Sequence, residues 1–251
     1  MLSNTLRNFL FKTDKYSIPI NILPSQGYFY PDGLEIYLEK GSDEDRESYL
    51  NGFYNSTIFG ITDTIKSILI KKVTFNQKNF TFEKVKAIDI LFIFIEFIKY
   101  TTDKPVYFNS VEFNKDNFIY FDFKEFENNY DEKEKCFTFN NWKYSLPTIG
   151  IESSLGKFSY EITMRGQSSK YENKNYNFIY FLSDKTSINF DKMVDLINLY
   201  DELSDENKEE IQIIVDKFSK SGIYFLLESG KKPIRINSNM LQNAWKKERK
   251  E

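Results

Sequence analysis

The stretch from Phe82 to Tyr100 is apolar on almost every side, and it limits what the chain can fold into more than any other segment. Only Lys86, Asp89, Glu96 and Lys99 interrupt it, roughly on one stripe. A helix with so little polar surface has to pack on several neighbours at once. The pattern predicts a central helix over 82–100, the spine of the N-terminal half. Its most apolar run, Ala87 to Ile98, contains Asp89 and Glu96 and is too short to span a bilayer. The N-terminus shows no signal-peptide core or small-residue cleavage site, so a soluble chain is expected.

Around this helix the pattern is mixed. Residues 1–20 read as an amphipathic arm with Leu6, Phe9 and Leu10 on one face, either a partner-binding tail or a frayed end. Leu34, Ile36 and Leu38 alternate with Glu35, Tyr37 and Glu39, as in a strand. Ser42 caps a helix whose first turn holds Asp43, Glu44 and Asp45, favourable at the positive end of the dipole. Thr62 opens a second helix carrying Ile65, Ile68, Leu69 and Lys72. Val106–Phe113 and Phe118–Phe123 are expected to pair across Asn114–Asn117, with a charged loop over 126–135. Cys136–Phe139 and Trp142–Leu146 suggest a pair turning at Asn140-Asn141. The Ser-, Gly-, Asn- and Lys-rich stretch 152–175 reads as a loop or junction.

Phe178–Leu182 is a short apolar run of ambiguous type, and Phe190–Leu203 is a helix. Ser204 caps the next helix, with Ile211, Ile214, Val215 and Phe218 on one face and Gly222 as its stop. Tyr224–Leu227 and Ile234–Ile236 flank Glu228–Pro233 as a hairpin. The fold class expected is α+β, with a helical N-terminal core, short strands and a C-terminal helix pair. The organisation expected is an arm at 1–20, a motif and helical core at 21–104 and a hairpin region at 105–150. A junction at 151–176, helices and a hairpin at 177–240 and a charged tail at 241–251 follow.

Composition removes whole classes of chemistry. With 0 His there is no imidazole base, no Ser-His or Cys-His dyad and no His-bearing metal site. The single Cys136 can form neither an internal disulfide nor a zinc knuckle, and reads as a small buried apolar group. A net charge of −3 argues against a nucleic-acid footprint. The 25 Phe and 17 Tyr exceed what a core alone absorbs, so some rings should reach the surface, where they favour protein contacts.

The segment Asn21–Leu38 holds a Leu-Pro-Ser-x-Gly-x-x-Tyr turn, in which Pro24 withholds a donor and Gly27 tolerates positive φ. It presents Tyr28, Phe29 and Tyr30 as candidate interface residues. They either anchor the N-terminal fold or dock onto a neighbour, and strand-like alternation would send one ring inward and another outward. The wording of this segment resembles the start of the small baseplate hub proteins and hub assembly factors of T-even-like contractile-tailed bacteriophages. The order of elements over 21–240 is similar too, including Ile88-Asp-Ile-Leu-Phe92 and Ile98-Lys-Tyr100 within the apolar helix.

Some relatives carry a zinc-ribbon-like hairpin with paired Cys-x-x-Cys turns. The matching turns here, Asn114–Asn117 and Glu228–Lys231, contain no cysteine, so the resemblance implies ribbon-like hairpins held by aromatics without metal. It implies a non-enzymatic structural or assembly role, no cofactor, and other hub and tail proteins as partners. The place of action would be the host cytoplasm during assembly and the virion tail. Two alternatives stand beside it. One is a protein-binding adaptor unrelated to phage. The other is a Mg-dependent nuclease using Asp32, Asp122 and Lys124, a pattern short enough to arise by chance.

Overall fold

The apolar spine organises the chain as an α+β fold with small antiparallel sheets. The computed structural model describes residues 15–55, 58–124, 130–139, 142–171, 174, 176–182, 188–221, 225–230, 232–236 and 238–245. The arm residues Leu6, Phe9 and Leu10, the Asn140-Asn141 turn, Gly222 and residues 246–251 lie outside them.

Helix α3 (Ile90–Thr102) carries the spine; α1 and α2, which precede it, are Asp43–Asn55 and Ile58–Lys72. Phe92, Ile93, Phe94, Ile95, Phe97 and Ile98 are fully buried, as the nearly all-apolar surface requires. The helix starts at Ile90 and not at Phe82. Residues 82–84 and 87–89 are isolated 3-10 turns, and Val85 and Lys86 between them are extended. That extension is imposed from outside, because Ala87 N–H donates to Pro147 O (2.8 Å) and Ile149 N–H to Val85 O (2.9 Å). α3 ends at Asp103, in the left-handed conformation.

Strand β1 (Tyr16–Ile18) pairs antiparallel with β2 (Ile36–Leu38), which pairs with β3 (Val73–Phe75). Residues 16–18, expected in the arm, are therefore part of a sheet. Ile18, Leu34, Ile36 and Leu38 put their apolar face on α3. Ser42 caps α1 reciprocally: its hydroxyl accepts from Asp45 N–H (3.2 Å), and the Asp45 carboxylate accepts from Ser42 N–H (2.8 Å). α2 begins at Ile58, before Thr62.

The strand pairing expected across Asn114–Asn117 is replaced by two others. β4 (Tyr107–Phe108) turns back onto β5 (Val111–Glu112) through Asn109 and Ser110, both at positive φ, the backbone a two-residue hairpin demands. β6 (Phe118–Ile119) pairs with β10 (Leu226–Leu227), which pairs with β11 (Ile234–Arg235). Between them, β7 (Tyr130–Asp131), β8 (Cys136–Phe139) and β9 (Trp142–Tyr144) form a fourth small sheet, with Cys136 fully buried.

The expected junction over 152–175 is mostly helix. α4 (Ile149–Met164) is capped by Thr148, whose hydroxyl accepts from Ile151 N–H (3.2 Å). Ile151, Leu155, Phe158 and Ile162 recur at helical spacing and are buried. The Ser and Gly content outweighed that period in the sequence reading. After the short α5 (Ser168–Tyr171) come a 3-10 turn at Asn177–Phe181, α6 (Phe190–Asp201) and α7 (Asp205–Ser221). α8 (Ser238–Ala244) closes the chain.

The apolar side chains form two clusters. One surrounds α3 and the β1–β3 sheet; the other joins α4, α6, α7, β8 and the 177–181 turn. The first also contains Phe225, Leu227, Ile236, Leu241 and Trp245. Residues 241–245, expected in a solvated tail, are held in part by Tyr49, which donates to Leu241 O, and by Trp245, whose ring meets Tyr49, Phe94 and Phe97.

Ile95→Ala should cost roughly 2–5 kcal/mol, since a fully buried site in this helix cannot collapse. Leu91→Ala, at a half-buried position, should cost less. Denaturant midpoints measure both, and equal midpoints for Ile95→Ala and wild type would make the helix peripheral.

Candidate functional site

The turn at 23–31 is built from backbone conformations that side chains rarely adopt. Gln26, Gly27 and Phe29 sit at φ +56°, +81° and +71°. Only the glycine does so without strain. The chain accepts this because the turn is held by groups far away in sequence. Ser25 N–H donates to Asp89 Oδ1 (2.8 Å) and Tyr30 O–H to Asp89 Oδ2 (2.7 Å). Lys86 N–H donates to the Tyr30 hydroxyl (3.0 Å), and Gln26 Nε2–H to Phe121 O (2.6 Å). Tyr120 O–H reaches Ile22 O (2.8 Å).

The three candidate interface rings are thus placed by a turn, and the alternation expected of an extended strand does not apply. Tyr30 is buried in the first cluster and Phe29 in the second. Phe29 lies 5.5 Å from the Phe137 ring and 6.0 Å from Phe123. Neither can dock onto a neighbour without unfolding the turn. Tyr28 is half-buried, against Phe123 and Tyr130 (both 5.2 Å), and it alone of the three offers a surface.

Behind the turn lies a buried polar node. Asp89 is fully buried, and so is Ser25; Lys86 and Ser145 are nearly so. Lys86 Nζ donates to Ser145 Oγ (2.8 Å) and stands 5.4 Å from the centroid of the Phe29 ring. Burial pushes the Asp89 carboxyl up to about 6, opposed by its hydrogen bonds from Tyr30 and Ser25 and by the Lys86 charge. Burial likewise pushes Lys86 down to about 8, opposed by Asp89. In the sequence both charges stand only as interruptions of an apolar stripe. The signal available is their position: a charge inside an apolar run needs a partner, and the turn supplies two donors, the Ser25 amide and the Tyr30 hydroxyl.

Beside the node is a cleft of about 480 Å³, floored by Ala87, Leu146, Phe181 and Val215 and rimmed by Glu152 and Asp216. Both carboxylates are engaged, Glu152 with Lys66 Nζ (2.8 Å) and Asp216 with Gln212 Nε2 (2.7 Å). The cleft has room for an apolar side chain, with acceptors at its mouth.

The two nuclease carboxylates already have partners. Asp32 pairs with Lys135 Nζ (2.8 Å), and Asp122 Oδ1 accepts from Lys124 N–H (3.0 Å), an ordinary Asx turn. Among the described residues no group of three or more Cys, Asp or Glu side chains is placed to hold a metal ion. The chain matches no protein family, no curated protein and no solved structure.

The node has a signed pH dependence. Asp89 is raised in the fold, so its contribution is complete below about 3.8 and is lost as pH rises through about 6. Lys86 is depressed, so its contribution is complete above 10.5 and is lost as pH falls through about 8. Asp89→Asn should remove the first dependence. The stability of wild type minus that of the variant should fall by about 2 kcal/mol between pH 4 and 6, at 1.36 kcal/mol per pKa unit. Urea unfolding across that range measures it, and parallel curves would refute it. Tyr30→Phe should cost about 1–3 kcal/mol at any pH in that range, by leaving Asp89 Oδ2 and Lys86 N–H without a partner.

Proposed function

We propose that the chain is a non-enzymatic structural or assembly protein of a phage tail baseplate hub, acting through protein–protein contacts. The observation that carries this reading is the meeting of two turns. Asn114–Asn117 and Glu228–Lys231 are the positions that the resemblance would match to the paired cysteine turns of ribbon-bearing hub proteins. Glu228 N–H donates to Asn117 O (2.8 Å), and β6, which follows the first turn, pairs with β10, which precedes the second. Two zinc knuckles have to converge in this way to share one ion. Here the convergence is held by rings: Phe225 lies 5.2 Å from Phe118 and 6.1 Å from Phe113. Zinc-ribbon-like hairpins lacking metal, a helical N-terminal core and a C-terminal helix pair belong to this reading.

The opening motif supports it too, since Leu23, Gly27 and Tyr30 of Leu-Pro-Ser-x-Gly-x-x-Tyr have work in the turn, and so does the backbone amide of Ser25. Leu23 is fully buried, Ser25 and Tyr30 hold Asp89, and Gly27 supplies positive φ. A chain sharing that wording would share the turn. Its partners would be other hub and tail proteins, met in the host cytoplasm during assembly and in the tail itself.

Co-expression with the tail and baseplate proteins of the same phage tests the reading. The chain should co-purify with a hub component, and Tyr28→Ala should weaken that complex by about 2 kcal/mol with the fold intact. Capture of no tail protein would refute the proposal. Mg-dependent DNA cleavage abolished by Asp122→Ala would turn the reading to a nuclease. A further expectation is that EDTA leaves Tm unchanged, because the rings do what a metal does elsewhere. About one equivalent of zinc by elemental analysis would overturn it.

A further inference from the structure

The cleft beside the polar node has an apolar floor and a charged mouth. It lies between the first turn of α4, α7 and the 177–181 turn. Leu146, Phe181, Val215 and Phe218 on its floor are buried in the second apolar cluster. Its volume of about 480 Å³ is that of a ligand pocket, well beyond a packing defect. At the mouth, Glu152 is matched by Lys66 Nζ (2.8 Å), whereas Asp216 accepts from the neutral Gln212 amide (2.7 Å). Among the described residues no lysine or arginine forms an ion pair with Asp216, although Lys220 stands one turn further along α7. Burial pushes the Tyr180 hydroxyl up and the Glu152 charge adds to the rise, so Lys66 does not cancel that charge within the cleft. The mouth is therefore negative.

Rings complete the lining. Phe181 and Phe218 stack at 5.9 Å, and Tyr180 lies 6.5 Å from Phe181. A carboxylate with no cation, set beside aromatic rings at the opening of an apolar hollow, suits a guanidinium. That group is planar and weakly hydrated, and it can stack on a ring and bond a carboxylate at once. The chain makes the same combination elsewhere: the Arg165 guanidinium lies 3.9 Å from the centroid of the Phe190 ring and pairs with Glu161 (2.7 Å). A lysine would bring a compact, strongly hydrated charge with no planar face to stack. A purely apolar ligand would strip water from Asp216 and give nothing back. The volume leaves room beyond one arginine, and the apolar floor fits a neighbouring side chain of valine or leucine size.

We propose that this cleft binds a protein segment presenting an arginine next to an apolar residue. The guanidinium is held between Asp216 and the Tyr180 and Phe181 rings, and the apolar side chain rests on Leu146 and Val215. The proposal does not rest on the phage reading, and either can fail alone.

Titration of the isotopically labelled full chain with the blocked dipeptide acetyl-Arg-Leu-amide, followed by amide NMR shifts, tests it. The reference ligand is acetyl-citrulline-Leu-amide, which keeps the shape of arginine and lacks its charge. Amides of residues 148–152, 177–181 and 212–219 should shift, and the arginine peptide should bind about fivefold or more tighter than the citrulline one. Asp216→Asn, at an exposed position that the fold tolerates, should bring the two affinities together. Glu209→Gln, exposed on the same helix and outside the lining, should leave the difference intact. Absence of shifts around the cleft overturns the proposal. So do equal affinities for the two peptides in wild type, or a difference that survives Asp216→Asn. A difference erased equally by Glu209→Gln would assign it to the general charge of α7 and refute the site. Tighter binding of acetyl-Lys-Leu-amide would refute the preference for a guanidinium.

Discussion

One buried carboxylate decides how the rest of the chain is arranged. Asp89 has no water around it, and an uncompensated charge there would cost several kcal/mol. It is compensated by the Ser25 amide and the Tyr30 hydroxyl, with the Lys86 charge nearby. Those groups can converge only if the turn adopts its unusual backbone and if residues 85–87 stay extended beside 147–149. The same extension delays α3 to Ile90 and places Thr148 to cap α4. A single electrostatic requirement thus fixes a turn, the start of the central helix and the start of the helix behind it. Adjacent residues of the turn, Phe29 and Tyr30, belong to different apolar clusters, so it also joins them.

What the sequence made legible is what local physics controls. The period of Ile211, Ile214, Val215 and Phe218, the cap at Ser42 and the alternation at 34–38 act within a few residues, and their elements formed. What stayed hidden depended on distant partners. Phe82–Ile88 has the composition of a helix and is pulled out of one by Pro147 and Ile149. The strand at Phe118 has an obvious neighbour five residues upstream and pairs instead with Leu226–Leu227. Trp245 stands beside a run of lysines that reads as a tail, yet its ring fills the space beside Phe94 and Phe97. In α4 the serine and glycine content reads as loop, while Ile151, Leu155, Phe158 and Ile162 keep a helical period and are buried.

The same contrast runs through the candidate site. Tyr28, Phe29 and Tyr30 were visible as a rigid aromatic cluster, but their directions follow from positive φ at Gln26 and Phe29, which no composition announces. Lys86 and Asp89 were visible as charges in an apolar run. Their meaning needed the turn to be folded against them. Around Phe225 the Phe113 ring stacks at 6.1 Å and the Phe118 ring meets it edge-on at 5.2 Å, contact area between distant segments that no local pattern announces.

The routing of the chain has a consequence for its synthesis. The turn at 23–31 waits for partners 56 to 101 residues downstream. The first cluster waits longer, since Tyr49 closes onto Leu241, 192 residues away. Phe225, Leu227, Ile236, Leu241 and Trp245 are translated more than a hundred residues after α3, and they complete the core around it. While they remain in the ribosomal tunnel, the apolar side of α3 is uncovered there. Native packing on that side must wait until residues 225–245 have left the tunnel, and a nascent chain stalled before residue 225 carries an open core, however much of its N-terminal half has already emerged.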